Sequence, residues 1–196
     1  MTSASDLLVA AFEPFGGRSR NAALEAAETL ARLHGVTLSR LPTAFAPLPA
    51  ALQALVDRGP RVLLLVGESH QTRVLRVEQI ALNLMDARIP DNLGAQPRGE
   101  PVQSGAELAR KVSFDVRAVA KAGTAGGARC EPSFHAGTFC CNAALFIALG
   151  LAGDGARTRV AFVHVPASWF WPSPWQRRRK CADSLWAIAQ ALSATI

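Results

Sequence analysis

Val62-Leu63-Leu64-Leu65-Val66 is the strongest strand signal in the chain. It is wholly apolar, β-branched at both ends, and bounded by the breaker Asp57-Arg58-Gly59-Pro60 and by Gly67. A run of this kind predicts a strand buried on both faces, as in a parallel sheet covered by helices. Upstream, Pro47 and Pro49 suit the first turn of a helix running to about Val56. Before that, Val36–Leu41 reads as a strand. Ala22–Leu33 reads as a helix with Asn21 as its N-cap and Gly35 as its stop. Leu7–Ala11 reads as a further short buried strand. Downstream, Val74–Leu84 mixes strand-like alternation with charges. Pro90, Gly94, Pro97, Gly99 and Pro101 mark a long irregular segment. Asp115–Lys121 reads as a helix ended by Gly123–Gly127, and Ala128–Phe134 as a strand. Asn142–Leu149 is an apolar helix that Gly150 is positioned to end, Val160–Val165 another buried strand, and Cys181–Ala194 an amphipathic C-terminal helix. Repeated alternation of strand and helix is the pattern of an α/β domain with a mostly parallel sheet. Ligands of such folds bind at the carboxyl ends of the strands.

With 196 residues, the chain suits one domain spanning 1–196. Hydrophobic residues make up 49% and charged residues 18%, which excludes disorder. No apolar run is long enough to cross a bilayer. Met1–Asp6 shows neither the basic nor the apolar part of a signal peptide. The net charge of +6 is largely one run, Arg177-Arg178-Arg179-Lys180. That run reads either as a solvated helix end or as a nucleic-acid or acidic-surface contact. The lack of tyrosine and the apolar settings of the phenylalanines speak against nucleic acid. The cysteines Cys130, Cys140, Cys141 and Cys181 contain no CxxC pair, so zinc-type spacing is absent and no metal is expected. A chain of this length folds without disulfides, which fits a reduced, cytoplasmic protein.

Four segments offer chemistry. Phe12-Glu13-Pro14-Phe15-Gly16-Gly17 follows the first strand. It lacks the nucleotide-loop glycine patterns, and its two phenylalanines read either as core or as the walls of a small apolar pocket. Ala136-Gly137-Thr138-Phe139-Cys140-Cys141-Asn142 precedes an apolar helix. A cysteine there lies at the positive end of the helix dipole, which favours thiolate, although buried structural cysteine is the commoner fate. Adjacent cysteines cannot both face one site. His164, in Phe162-Val163-His164-Val165-Pro166, ends a buried strand. It is either a near-core histidine or a base for Cys141. Glu78, in Val77-Glu78-Gln79-Ile80-Ala81-Leu82-Asn83, is an acid in apolar surroundings that needs a partner when buried. An imidazole partner gives the cysteine-peptidase form of triad logic.

Taken together with Asp86-Ala87-Arg88-Ile89-Pro90-Asp91-Asn92 and Gln96-Pro97, and in this order, these segments closely resemble the pyroglutamyl peptidase I (pyrrolidone-carboxylate peptidase) family from Leu7 to about Pro166. The resemblance implies a three-layer α/β/α domain with a central twisted sheet. It also implies a cytoplasmic cysteine peptidase that removes an N-terminal pyroglutamyl residue, needs no cofactor and assembles as a homo-oligomer, often a tetramer. The nucleophile falls on Cys141, the histidine on His164 and the glutamate on Glu78. Phe12, Phe15 and Phe139 match pocket phenylalanines. The backbone position that reads the lactam falls near Glu68. Asn21, Arg88 and Asp91 match supporting positions.

The chain also departs from the family. Where the family has G-Q-A-G-G-R, this sequence has Gly67-Glu68-Ser69-His70-Gln71-Thr72, with both inner glycines lost and a carboxylate placed beside a site for an uncharged ring. Gln79 replaces a basic residue. Trp169, Trp171 and Trp175 follow His164 where the family has another loop, and read either as packed core and subunit interface, the favoured reading, or as an exposed binding patch. The alternative to a peptidase is a catalytically impaired binding protein of the same fold.

Overall fold

The computed structural model describes residues 6–153, 157–167 and 173–194. Trp169 and Trp171 lie outside them. The elements run β1 (Leu7–Phe12), α1 (Ala22–His34), β2 (Thr37–Leu41), α2 (Leu48–Val56), β3 (Val62–Ser69), β4 (Leu75–Glu78), β5 (Ile80–Leu82), β6 (Met85–Asp86), β7 (Arg98–Glu100), β8 (Ala109–Lys111), α3 (Val116–Ala125), β9 (Cys130–Ser133), α4 (Cys140–Ala152), β10 (Arg159–Pro166) and α5 (Pro174–Ala194).

Among the described residues the main sheet has the order β2-β1-β3-β10-β4-β9. β1 pairs in parallel with β2 and β3, β3 with β10, and β4 with β9; β10 and β4 are antiparallel. The chain moves one way from β1 to β2 and back past β1 to β3. Right-handed crossovers then place α1 and α2 on opposite faces. Accordingly α5 packs against α1 and α3, while α2 packs against α4. The expected mostly parallel α/β sheet is present. β3 is buried from Val62 through Glu68 and β10 from Val160 through Pro166, because both lie inside the sheet with helices over each face.

Local chemistry sets the element ends. The Asn21 side chain accepts the N–H groups of Ala23 (2.9 Å) and Leu24 (3.3 Å), capping α1, and Gly35 closes it in the left-handed conformation at φ 66°. The loop beyond β3, which has no glycine between Glu68 and Arg73, needs no left-handed backbone. No non-glycine residue among those described has positive φ, and β3 runs on to Ser69.

Several boundaries differ from the sequence expectation. α4 passes through Gly150 to Ala152, whereas α3 ends at Ala125, inside the expected Gly123–Gly127 stop, with Gly123 still helical. Both glycines serve close approach. A Cβ on Gly150 would lie 1.8 Å from Arg110 Nη1, and one on Gly123 would lie 2.8 Å from both Cys130 Sγ and Ile188 Cγ1. α5 begins at Pro174, so the basic run lies inside it. Arg177 is buried rather than solvated, and Arg177 and Arg178 both pair with Glu25 on α1, at 3.4 and 3.0 Å. Arg179 pairs with Asp183 at 2.9 Å. The run therefore joins α5 to α1 in part, which diminishes it as a nucleic-acid surface.

Candidate active site

The carboxyl ends of β1, β3 and β10 meet at one edge of the sheet, where β1 and β3 flank the reversal of strand order. Gly67 stands opposite His164 in the β3–β10 pairing, and Arg76 opposite His164 in the β10–β4 pairing. Glu78 follows two residues along β4, on the same face as Arg76.

His164 Nδ1 lies 2.8 Å from Glu78 Oε1. With Nδ1 protonated, the imidazole donates to the carboxylate. Glu78 is 1% exposed, and its Oε2 has no partner among the described residues. On its other side the ring meets Cys141, which acts on it by hydrogen bond and by charge. Burial disfavours the charged imidazole, but the Cys141 sulfur and then the Glu78 carboxylate outweigh it, raising the His164 pKa to about 10. The ring also packs on Phe162, centroids 4.9 Å apart.

Cys140 and Cys141 open α4, with Phe139 at the N-cap and no side-chain cap. The first N–H groups of the helix are thus left for a ligand. The two cysteines diverge as expected. Cys140 is fully buried, and its thiol pKa is driven far up by burial, whereas Cys141 is partly exposed and borders the cavity. Gly67 makes room for the sulfur. A Cβ there would lie 2.8 Å from both Cys141 Sγ and Phe162 Cζ. Asn142, wholly buried, accepts the Leu82 N–H (2.8 Å) and donates to the carbonyls of Leu82 (2.8 Å) and Leu84 (2.9 Å). It ties the start of α4 to the segment just beyond Glu78.

The cavity beside Cys141 has a volume of about 280 Å³ and includes Phe12, Phe15, Phe139, Glu68, Arg88 and His164 in its wall. Phe12 is both core and wall. Phe139 packs against Phe15 at 6.0 Å and edge-on against Phe45 at 5.4 Å. Arg18 lies 4.6 Å over the Phe15 ring.

Glu68 lines this cavity, yet its charge is already engaged. Its side chain is 2% exposed, pairs with Arg18 and with His70 Nε2 (3.0 Å), and accepts the Ala22 N–H at the start of α1 (2.5 Å). The Glu68 carboxylate is thus held by a cation, an imidazole and a helix N-terminus.

The supporting positions divide. Asn21 lines the cavity while capping α1, and Arg88 lines it with an exposed side chain. Asp91 does not line it. Its carboxylate accepts the N–H groups of Phe45, Leu93 and Ala95, each at 2.8–2.9 Å, and so shapes the loop behind Phe139. Sequence reasoning missed Gly67 as the seat of the sulfur, Asn142 as the tie of α4, and Arg18 as the partner of Glu68. Only the first two lie in motifs it had singled out. No cluster of metal-ligating side chains occurs among the described residues.

Comparison with known proteins gives concordant results. The family model described as pyroglutamyl peptidase matches residues 5–173. The pyrrolidone-carboxylate peptidase of Gloeobacter violaceus is 37% identical over 82% of this chain and 80% of its own length. That of Thermococcus kodakarensis is 36% identical over 83% and 81%. Among solved structures, the pyrrolidone carboxyl peptidase of Thermococcus litoralis superposes with a TM-score of 0.81 at 28% identity, covering 97% of this chain and 96% of its own. The pyroglutamyl peptidase I of Bacillus amyloliquefaciens gives 0.79 at 27%, covering 94% and 96%.

Proposed function

This chain belongs to the pyroglutamyl peptidase family and is a cysteine peptidase, and from that premise we propose that Cys141, His164 and Glu78 are its catalytic triad, acting on N-terminal pyroglutamyl peptides. The observation that carries this reading is the buried Glu78–His164 pair at 2.8 Å, with His164 and Cys141 lining the same aromatic cavity.

The flat, uncharged lactam enters the cavity between Phe12, Phe15 and Phe139, with Glu68 at its wall. His164 takes the Cys141 proton, and the sulfur attacks the carbonyl carbon that joins pyroglutamate to the next residue. The first N–H groups of α4 stabilise the oxyanion. When the C–N bond breaks, the imidazolium protonates the leaving amine. Water, deprotonated by His164, then cleaves the thioester, releasing pyroglutamate and restoring the thiol. Glu78 is the acceptor that fixes the Nδ1–H tautomer and stabilises the imidazolium. Asn21, Arg88 and Asp91 act as supports, through the α1 cap, the cavity wall and the Phe45 loop respectively.

The same reading takes no cofactor or metal and assigns a cytoplasmic setting, where a reducing milieu keeps Cys141 as thiol. It also assigns a homo-oligomer, dimer or tetramer. Trp175, 67% exposed, is a candidate contact that sedimentation of Trp175→Ala would test. The decisive experiment is hydrolysis of a pyroglutamyl arylamide by reduced protein. Turnover abolished by Cys141→Ala and by His164→Ala is the expected result. No turnover with Cys141 free and intact would instead support a non-catalytic binding protein.

A further inference from the structure

A second cavity, of about 390 Å³, opens beside His164 away from Cys141. It shares Ser69, Gln71, Ala136, Gly137 and His164 with the aromatic cavity, so the two are continuous. If the acyl group occupies the aromatic cavity and His164 protonates the leaving amine, as the proposed function holds, the chain beyond the scissile bond leaves through this second cavity. Its wall is polar and charged, including Arg76, Glu78, Glu131 and His135.

Most of these groups are already engaged. Glu78 binds His164, and Glu131 pairs with Arg129 at 2.7 Å. His135 Nδ1 accepts the Gly137 N–H at 3.2 Å. Arg76 differs. It is half-buried, and its guanidinium has no hydrogen bond or ion pair among the described residues. It stands directly opposite His164 across the β10–β4 pairing, where facing Cβ atoms lie about 5 Å apart. A guanidinium at that place has the fork geometry for a carboxylate. In a pyroglutamyl dipeptide the free carboxylate is separated from the leaving nitrogen by a single carbon, so a nitrogen at His164 brings it within reach of Arg76.

We infer that Arg76 binds a carboxylate carried by the residue after pyroglutamate, which makes it a specificity-determining residue for the leaving group. That carboxylate comes either from a free C-terminus or from an acidic side chain.

The test compares kcat/KM for pyroglutamyl-alanine, pyroglutamyl-alaninamide, pyroglutamyl-aspartamide with its side-chain acid free, and the neutral arylamide. The wild type is expected to favour a carboxylate substrate over pyroglutamyl-alaninamide by about tenfold. Preference for pyroglutamyl-alanine marks the C-terminus as the source, and preference for the aspartamide marks the side chain. Arg76→Gln should erase the preference through KM while sparing arylamide turnover, and Arg76→Lys should keep part of it. Thermal melts matching wild type establish that the variants fold. Three results overturn the inference: no preference in the wild type, a preference that survives Arg76→Gln, or an equal loss on every substrate, which would mean that Arg76 acts through Glu78. Absent arylamide turnover in the wild type would sink both this inference and the peptidase reading. Turnover without discrimination would sink this inference alone.

Discussion

Glu78 reaches His164 diagonally across the antiparallel pairing of β4 with β10, with Oε1 2.8 Å from Nδ1. The folded protein holds the His164 proton up to about pH 10, whereas an unfolded imidazole releases it near 6.5. At this site the native state holds a proton that the unfolded imidazole has released, so the stabilisation contributed by His164 falls as pH rises. It is fully present below about pH 6.5 and lost above about pH 10. Denaturant unfolding across this range should show a steeper decline for wild type than for His164→Gln. Parallel declines would refute the coupling.

Burial raises the thiol pKa of Cys130 to about 11 and of Cys181 to about 12, and drives that of Cys140 upward as well. Cys141 alone among the four cysteines lines the cavity and touches His164. Iodoacetamide on native protein at neutral pH should therefore add one group per chain, at Cys141, as read by peptide mass mapping. Denaturant should be needed to label the rest. His164→Ala should slow the native reaction at least tenfold. Labelling of Cys140 at a similar rate would contradict the proposed division between the two neighbours.

Gly67 is where sheet and nucleophile come closest. Gly67→Ala inserts a methyl 2.8 Å from Cys141 Sγ and from Phe162 Cζ. Overpacking of this kind costs about 1–3 kcal/mol, and displacement of the sulfur should lower kcat by about ten- to a hundredfold. The prediction is checked by arylamide kinetics beside thermal melts. Unchanged kcat would show that the sulfur does not react from this position.

Removing Glu68 leaves Arg18, His70 and the Ala22 N–H without their shared acceptor. Arg18 and His70 are 35% and 40% exposed, so water replaces part of the loss. Glu68→Ala should cost about 1–2 kcal/mol of stability and raise KM more than it lowers kcat, because the damage is to the cavity wall. Glu68→Gln keeps an acceptor for Ala22 and should be milder on both counts. A kcat effect as large as that of His164→Ala would place Glu68 in the chemistry instead.

The central strands were legible in the sequence because β3 and β10 are unbroken apolar runs, and α1 because Asn21 and Gly35 mark its ends. The short pairings β5–β8 and β6–β7 were not, since they join brief, partly exposed segments with no apolar face of their own. Gly150 resembled a helix stop, and only the position of Arg110 reveals it as a packing contact. Arg177 looked like surface charge because its partner, Glu25, is remote in sequence. At the site, the residue types of Glu78, Cys141 and His164 suggested chemistry. The role of Gly67 depends on a strand, a helix and a neighbouring ring converging, and no linear spacing encodes that.

The reversed course of β4 also sorts its residues by depth. The other strands that meet at the site reach the cleft with their carboxyl ends, but β4 enters from there and descends. Continuing the register that sets Arg76 against His164 and Val77 against Val163 puts Glu78 level with Phe162, beneath the imidazole. One short strand thereby delivers a cation to the rim and an acid to the floor, where it pairs with His164 and borders the second cavity. The carboxylate stabilises positive charge on the ring from below, while an anion at the rim of the cleft meets Arg76 and His164.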